Sequence, residues 1–176
     1  MEEKDLDITL YNTYWLKLQQ SKFDIAYFEG HYSYCVKLIR RIKYIIIVVT
    51  TLSTGIWMGW NSNAVVNKIC PIVLVLVSVL SALKDDFPYE KRKNELRELS
   101  LELKNLYVRM ESDWFKINRL ECSNNKIEEL LGYYQIQLIH IKDHYLKDDS
   151  LPVKDLITTN ATNKTVEYFE FLKKGA

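Results

Sequence analysis

The chain has 176 residues, with 24 Lys and Arg against 23 Asp and Glu and a formal net charge of +1. That balance creates no global field for nucleic acid, and no direct nucleic-acid binding is expected. With only 5 Gly and 3 Pro, turn chemistry for a sheet-rich fold is scarce, and the length suits one modest domain or a membrane hairpin with attached helices.

Residues 1–43 begin acidic (Glu2, Glu3, Asp5, Asp7) and turn basic toward Lys43. Apolar positions recur at Ile8, Tyr11, Trp15, Leu18, Ile25, Phe28, Tyr32, Cys35, Ile39 and Ile42. Steps of three, four and seven place them on one stripe of a helix. Lys22 interrupts the stripe and Gly30 weakens the helix locally. No strong breaker follows, so this helix is expected to run on into the next segment. The first apolar run lies far from Met1, so a cleaved signal peptide is not expected.

Residues 44–83 hold two apolar runs, Tyr44 to Trp60 and Val65 to Leu83, separated by Asn61, Ser62, Asn63 and Ala64. Their only charge is Lys68. A spanning helix needs about 20 mostly apolar residues, and a backbone in lipid must satisfy its own hydrogen bonds. The runs therefore predict a transmembrane helical hairpin; the competing reading is a pair of buried helices in a soluble bundle. Lys37, Arg40, Arg41 and Lys43 precede the first run, and Lys84, Lys91, Arg92 and Lys93 follow the second. The positive-inside rule then places both termini in the cytoplasm, with Trp57 and Trp60 at the outer interface.

The first run also carries Thr50, Thr51, Ser53 and Thr54 on one arc, with Gly55 and Gly59 at its edge. Small residues four apart let helices approach closely. This face is read as pore-lining or helix-contacting. The alternative is that the hydroxyls bond back to the preceding turn while the glycines pack the hairpin against itself.

Residues 84–148 begin with a charged connection containing Pro88. Leu96, Leu99, Leu103, Leu106, Met110 and Trp114 then alternate at three and four, continuing to Ile117 and Leu120. This is the seam of a helix packed on a helix. It is expected to serve assembly or to dock on the 8–42 stripe, in the same chain or a neighbour. Ser123-Asn124-Asn125 breaks the helix, and Asn125 with Glu128 resembles a capping box for the next. Ile127, Leu130, Leu131, Tyr134, Leu138, Ile141 and Tyr145 give that helix an apolar face. The tail, 149–176, carries a short helix at about 165–173 and two Asn-X-Thr triplets, which a cytoplasmic location leaves unused. The fold class is all-α: a two-helix transmembrane hairpin with long cytoplasmic helices in a coiled-coil-like bundle.

No catalytic constellation emerges, and no enzyme activity or cofactor is expected. His140 and His144 share a helix face, but without a nearby cysteine or third histidine no metal site is expected. Cys35, Cys70 and Cys122 lack metal-ligand spacing and read as reduced packing residues. His31, Trp15, Trp114 and the tyrosines outside the runs read as packing anchors.

The order of these parts resembles the SLATT family, the two-transmembrane effectors of bacterial anti-phage systems of CBASS-like or related type. The resemblance rests on the helix with Trp15 and His31, the Arg40-Arg41 cluster before the hairpin, and the segment KRKNELRELSLELKNLYVRMESDW. It covers residues from about 10 to 145. It implies a homo-oligomer in the bacterial inner membrane that permeabilises the lipid bilayer and causes growth arrest or cell death. Family members are often encoded beside nucleotide-second-messenger synthases, so a nucleotide second messenger or a sensor protein is the implied trigger. The alternative is a non-conducting membrane anchor or scaffold that recruits a soluble partner.

Overall fold

The computed structural model describes residues 7–59, 71–73, 75, 78–79, 88–147 and 151–175, with the backbone alone at 52–59, 88–89 and 175. It is all-helical, and there is no strand among the described residues. The bounded helices are α1 (Ile8–Gly59), α2 (Pro88–Asn118), α3 (Asn124–Leu146) and α4 (Asp155–Gly175). The described residues between 71 and 79 are helical as well. The chain divides into two compact units, Met1–Tyr32 with Glu95–Ala176, and Ser33–Asn94.

The first unit starts at a capped helix end. Asp7 Oδ1 accepts hydrogen bonds from the backbone N–H of Thr9 at 2.8 Å and of Leu10 at 3.4 Å. A carboxylate here satisfies orphan donors and complements the helix dipole. From this cap Tyr14, Leu18, Ser21, Ile25 and Phe28 follow in alternating steps of four and three, all buried. The observed seam runs through Tyr14, which is fully buried, and places Trp15 beside it. Ser21 occupies a seam position because its hydroxyl donates to the Lys17 carbonyl at 2.8 Å and lies 3.7 Å from Met110 Sδ.

Helix α2 contributes Leu96, Leu99, Leu103, Leu106, Met110, Trp114 and Ile117, all buried. It stops before Leu120, which has φ 61° and is 57% exposed rather than part of the seam. Glu121 N–H donates to the Lys116 carbonyl and Leu120 N–H to the Ile117 carbonyl, both at 3.0 Å. This six-to-one and five-to-two pair is a Schellman motif, which normally places glycine at the left-handed position.

Helix α3 begins at Asn124 with Ser123 as its N-cap, and no side-chain cap bond forms. The expected Asn125–Glu128 capping box is therefore not the cap. Asn124 Oδ1 instead accepts the Asp7 N–H at 3.1 Å, tying the starts of α3 and α1 together. Ile127, Tyr134, Leu138 and Ile141 are its buried face. Lys142 Nζ meets Asp24 Oδ2 at 2.5 Å across to α1.

The tail helix is longer than its sequence suggested, 21 residues from Asp155. Thr158, Thr162 and Thr165 each donate their hydroxyl to the carbonyl four residues back, so a Thr-rich segment keeps its polar groups satisfied within the helix. Ile157, Ala161 and Phe169 are buried. Gly30 is what admits this helix: a Cβ there would lie 2.6 Å from Ile157 Cγ2.

In the second unit, α1 continues through the first apolar run as helix to Gly59. Glu90, at the start of α2, accepts from Lys93 and lies 3.7 Å from Lys43. Among the described residues no helix is long and apolar enough to cross a membrane. Residues 60–70 and 80–87, and the side chains of 52–59, lie outside the described residues.

Candidate functional site

Three features of the described residues bear on function. The first is the apolar surface of the second unit. Tyr44, Ile45, Ile47 and Val48 on α1, and Ile72, Val75 and Val79 beyond it, are between 49% and 62% exposed. Thr50 and Thr51 are exposed on the same helix. Their hydroxyls donate to the carbonyls of Ile46 at 2.7 Å and Ile47 at 2.8 Å. Ser53, Thr54, Gly55 and Gly59 lie where only the helical backbone is described, so the rest of the expected arc lies outside the described side chains.

The second feature is the seam. Tyr14 OH donates to the Met110 carbonyl at 3.0 Å. Trp114 packs against Tyr11 and Trp15, with centroids 4.6 and 4.7 Å away, and Phe169 meets Trp15 edge-on at 4.9 Å. Lys104 pairs with Glu29, and Tyr134 OH donates to Asp113 Oδ2 at 2.7 Å. Of the two partners expected for Leu96–Trp114, this structure has the one in the same chain. Burial pushes the Asp113 carboxyl up, but the hydrogen bonds from Lys116 and Tyr134 and the Lys116 charge outweigh it, leaving it below the ordinary value.

The third feature is a cleft of about 420 Å³ between α1, α2 and α4. Lys22, Ile25, Ala26 and Glu29 line one side, Lys104, Tyr107, Val108 and Glu111 another, and Lys164, Thr165 and Tyr168 the third. Lys22 Nζ lies 3.4 Å from the centre of the Tyr168 ring and 4.7 Å from that of Tyr107. Both phenols donate to Glu111 Oε1, Tyr107 at 3.0 Å. Burial draws the Lys22 ammonium below the ordinary lysine value, against the attraction of Glu111 and Glu29. Burial and Glu111 together push the Tyr168 phenol up to about 12. A second cleft of about 370 Å³ is lined by Tyr11, Asn12, Trp15, Trp114, Phe115, Asn118, Leu172 and Lys173.

His31 is buried edge-on to Tyr27, with centroids 4.6 Å apart. His140 and His144 are exposed, and no group of three or more potential metal ligands occurs among the described residues. Comparison with protein-family models, curated proteins and solved structures finds no match.

The lysine cleft was not visible in the sequence. Its cations are 82 and 60 positions apart in a charge-balanced chain, at Lys22, Lys104 and Lys164. Only the packing of α4 brings the third to the other two.

Proposed function

We propose that this chain is a bacterial inner-membrane effector of SLATT type. It inserts the 44–83 hairpin with both termini cytoplasmic, oligomerises, and permeabilises the membrane in anti-phage defence. The observation that carries this reading is the exposed Tyr44, Ile45, Ile47 and Val48 with Ile72, Val75 and Val79. Large apolar side chains exposed in this number are unfavourable in water and suited to lipid. Basic residues flank the pair of runs on both sides. Leu96, Leu99, Leu103, Leu106, Met110 and Trp114 are buried within the chain's own bundle, so oligomer contacts are ascribed to the Gly55 and Gly59 face. A nucleotide second messenger or a sensor protein is the proposed trigger.

A second reading, a non-conducting anchor that recruits a soluble partner, is favoured by one observation. The Thr50 and Thr51 hydroxyls are already donated to their own helix. The two readings part on one comparison. Thr50→Val with Thr51→Val is expected to reduce dye leakage at matched membrane abundance if this face lines a pore. Wild-type leakage from the double variant removes the pore-lining assignment. No depolarisation on full induction and triggering leaves the anchor. Alkaline-phosphatase activity from a fusion after Ala176 would overturn the topology.

A further inference from the structure

We propose that the cleft between α1, α2 and α4 is a binding site for a phosphate-bearing ligand, with Lys22, Lys104 and Lys164 as its cationic contacts. All the residues that line this cleft belong to the first unit.

Lys22 is the central observation. Its ammonium is half-buried against two tyrosine faces, at 3.4 and 4.7 Å. An ammonium carries three N–H donors, and aromatic faces accept none of them as a hydrogen-bonding oxygen would. Among the described residues no carboxylate comes within ion-pair distance of it. Glu111, a carboxylate in the cleft wall, is instead occupied by the hydroxyls of Tyr107 and Tyr168. The tyrosines thus do two things: they hold the cation by their faces and cap the carboxylate by their edges. A partly desolvated cation left in this way gains from an anion that enters the cleft.

The other two lysines come from different helices. Lys104 pairs with Glu29 where both are well exposed, at 49% and 36% of side-chain surface. Such an exposed pair contributes little to stability, so a more highly charged anion displaces Glu29 readily. Lys164 is exposed on α4 and has no carboxylate partner among the described residues. A cleft lined by three lysines on three helices and by no arginine fork suits the rounded charge of a phosphate better than a planar carboxylate. The volume of about 420 Å³ accommodates more than the phosphate itself. Ile25, Ala26 and Val108 supply an apolar wall for the remainder. The phosphate belongs to a soluble small molecule or to a lipid headgroup, and the test separates these sources.

The full chain, purified in neutral detergent micelles at low ionic strength, is titrated calorimetrically with pyrophosphate and, separately, with short-chain phosphatidic acid. Saturable binding of one ligand per chain is expected. Lys22→Met and Lys164→Met are each expected to weaken it about tenfold or more, the size of one charge-assisted hydrogen bond. Lys126→Met, at the exposed pair with Glu129, is expected to leave it unchanged. Lys164 is exposed, so its variant keeps the test valid if Lys22→Met does not fold. Lysine-dependent pyrophosphate binding supports a soluble ligand, and lysine-dependent binding of phosphatidic acid alone supports a lipid one. No binding of either probe, or binding indifferent to both substitutions, overturns the proposal.

Discussion

Gly30 makes a prediction whose sign depends on a residue 127 positions away. In the interior of a helix, Gly→Ala normally stabilises by about 0.8–1.0 kcal/mol. Here the added methyl would lie 2.6 Å from Ile157 Cγ2 and 3.6 Å from Ile157 Cβ. Ile157 is β-branched, buried and in the first turn of α4, so its Cγ2 has few rotamers to retreat to. Ordinary carbon contacts begin near ~3.5 Å, so the first turn of α4 must move away by roughly 1 Å. Overpacking of this kind costs about 1–3 kcal/mol, which cancels or exceeds the helix-propensity gain. Gly30→Ala in the native background is therefore expected to destabilise the docking of α4 by about 0–2 kcal/mol. In an Ile157→Ala background the obstructing methyl is gone, and the same change is expected to stabilise by about 1 kcal/mol. Hydrogen exchange of the α4 amides reads the local opening free energy directly. The four-protein cycle should show a coupling of about 1–3 kcal/mol. Effects that add to within about 0.5 kcal/mol would falsify the close-approach account of Gly30.

Three further outcomes are expected. Leu120→Gly should stabilise the first unit by about 0.5 kcal/mol, because the left-handed conformation costs a non-glycine residue about 1–2 kcal/mol and the extra freedom of glycine in the unfolded chain returns part of that; guanidinium denaturation that shows a loss would rule out strain at φ 61°. Leu99→Ala, at a fully buried seam position, should cost about 2–5 kcal/mol, whereas Leu101→Ala, 44% exposed on the same helix, should cost less than about 1 kcal/mol; similar midpoints would dismiss the seam. The Asp113 carboxyl sits below its ordinary value in the folded chain, so its contribution is present at neutral pH and lost as pH falls from about 4 through the folded value. Asp113→Asn should therefore lower stability at pH 7 and converge with the native chain in acid, and a gap that stays constant across that range would refute the linkage.

The α2 seam was legible because its residues are large, apolar and regularly spaced: Leu96, Leu99, Leu103, Leu106, Met110 and Trp114 are all buried. Its partner stripe was read partly off register. Tyr14 and Trp15 are adjacent aromatics, and only the three-dimensional packing chooses Tyr14 for the interior. Ser21 was hidden because a polar seam residue can satisfy its hydroxyl within its own turn. Helix α4 was the least legible part: its buried face is sparse, at Ile157, Ala161 and Phe169, and its docking depends on a missing side chain at Gly30. The lysine cleft follows from that docking, so it shared the same obscurity.

The first unit is assembled from two stretches of chain, one before and one after the apolar runs. During synthesis α1 therefore leaves the ribosome with Tyr14, Leu18, Ile25 and Phe28 uncovered. Roughly 70 residues must be added after Phe28 before the α2 seam begins at Leu96, on the order of 3–14 s at 5–20 residues per second. Through that interval the nascent N-terminal helix is an adhesive surface next to the chains emerging from neighbouring ribosomes on the same message. Slow translation of 33–94 should thus promote misassembly, and a shielding chaperone should matter most before Glu95 emerges.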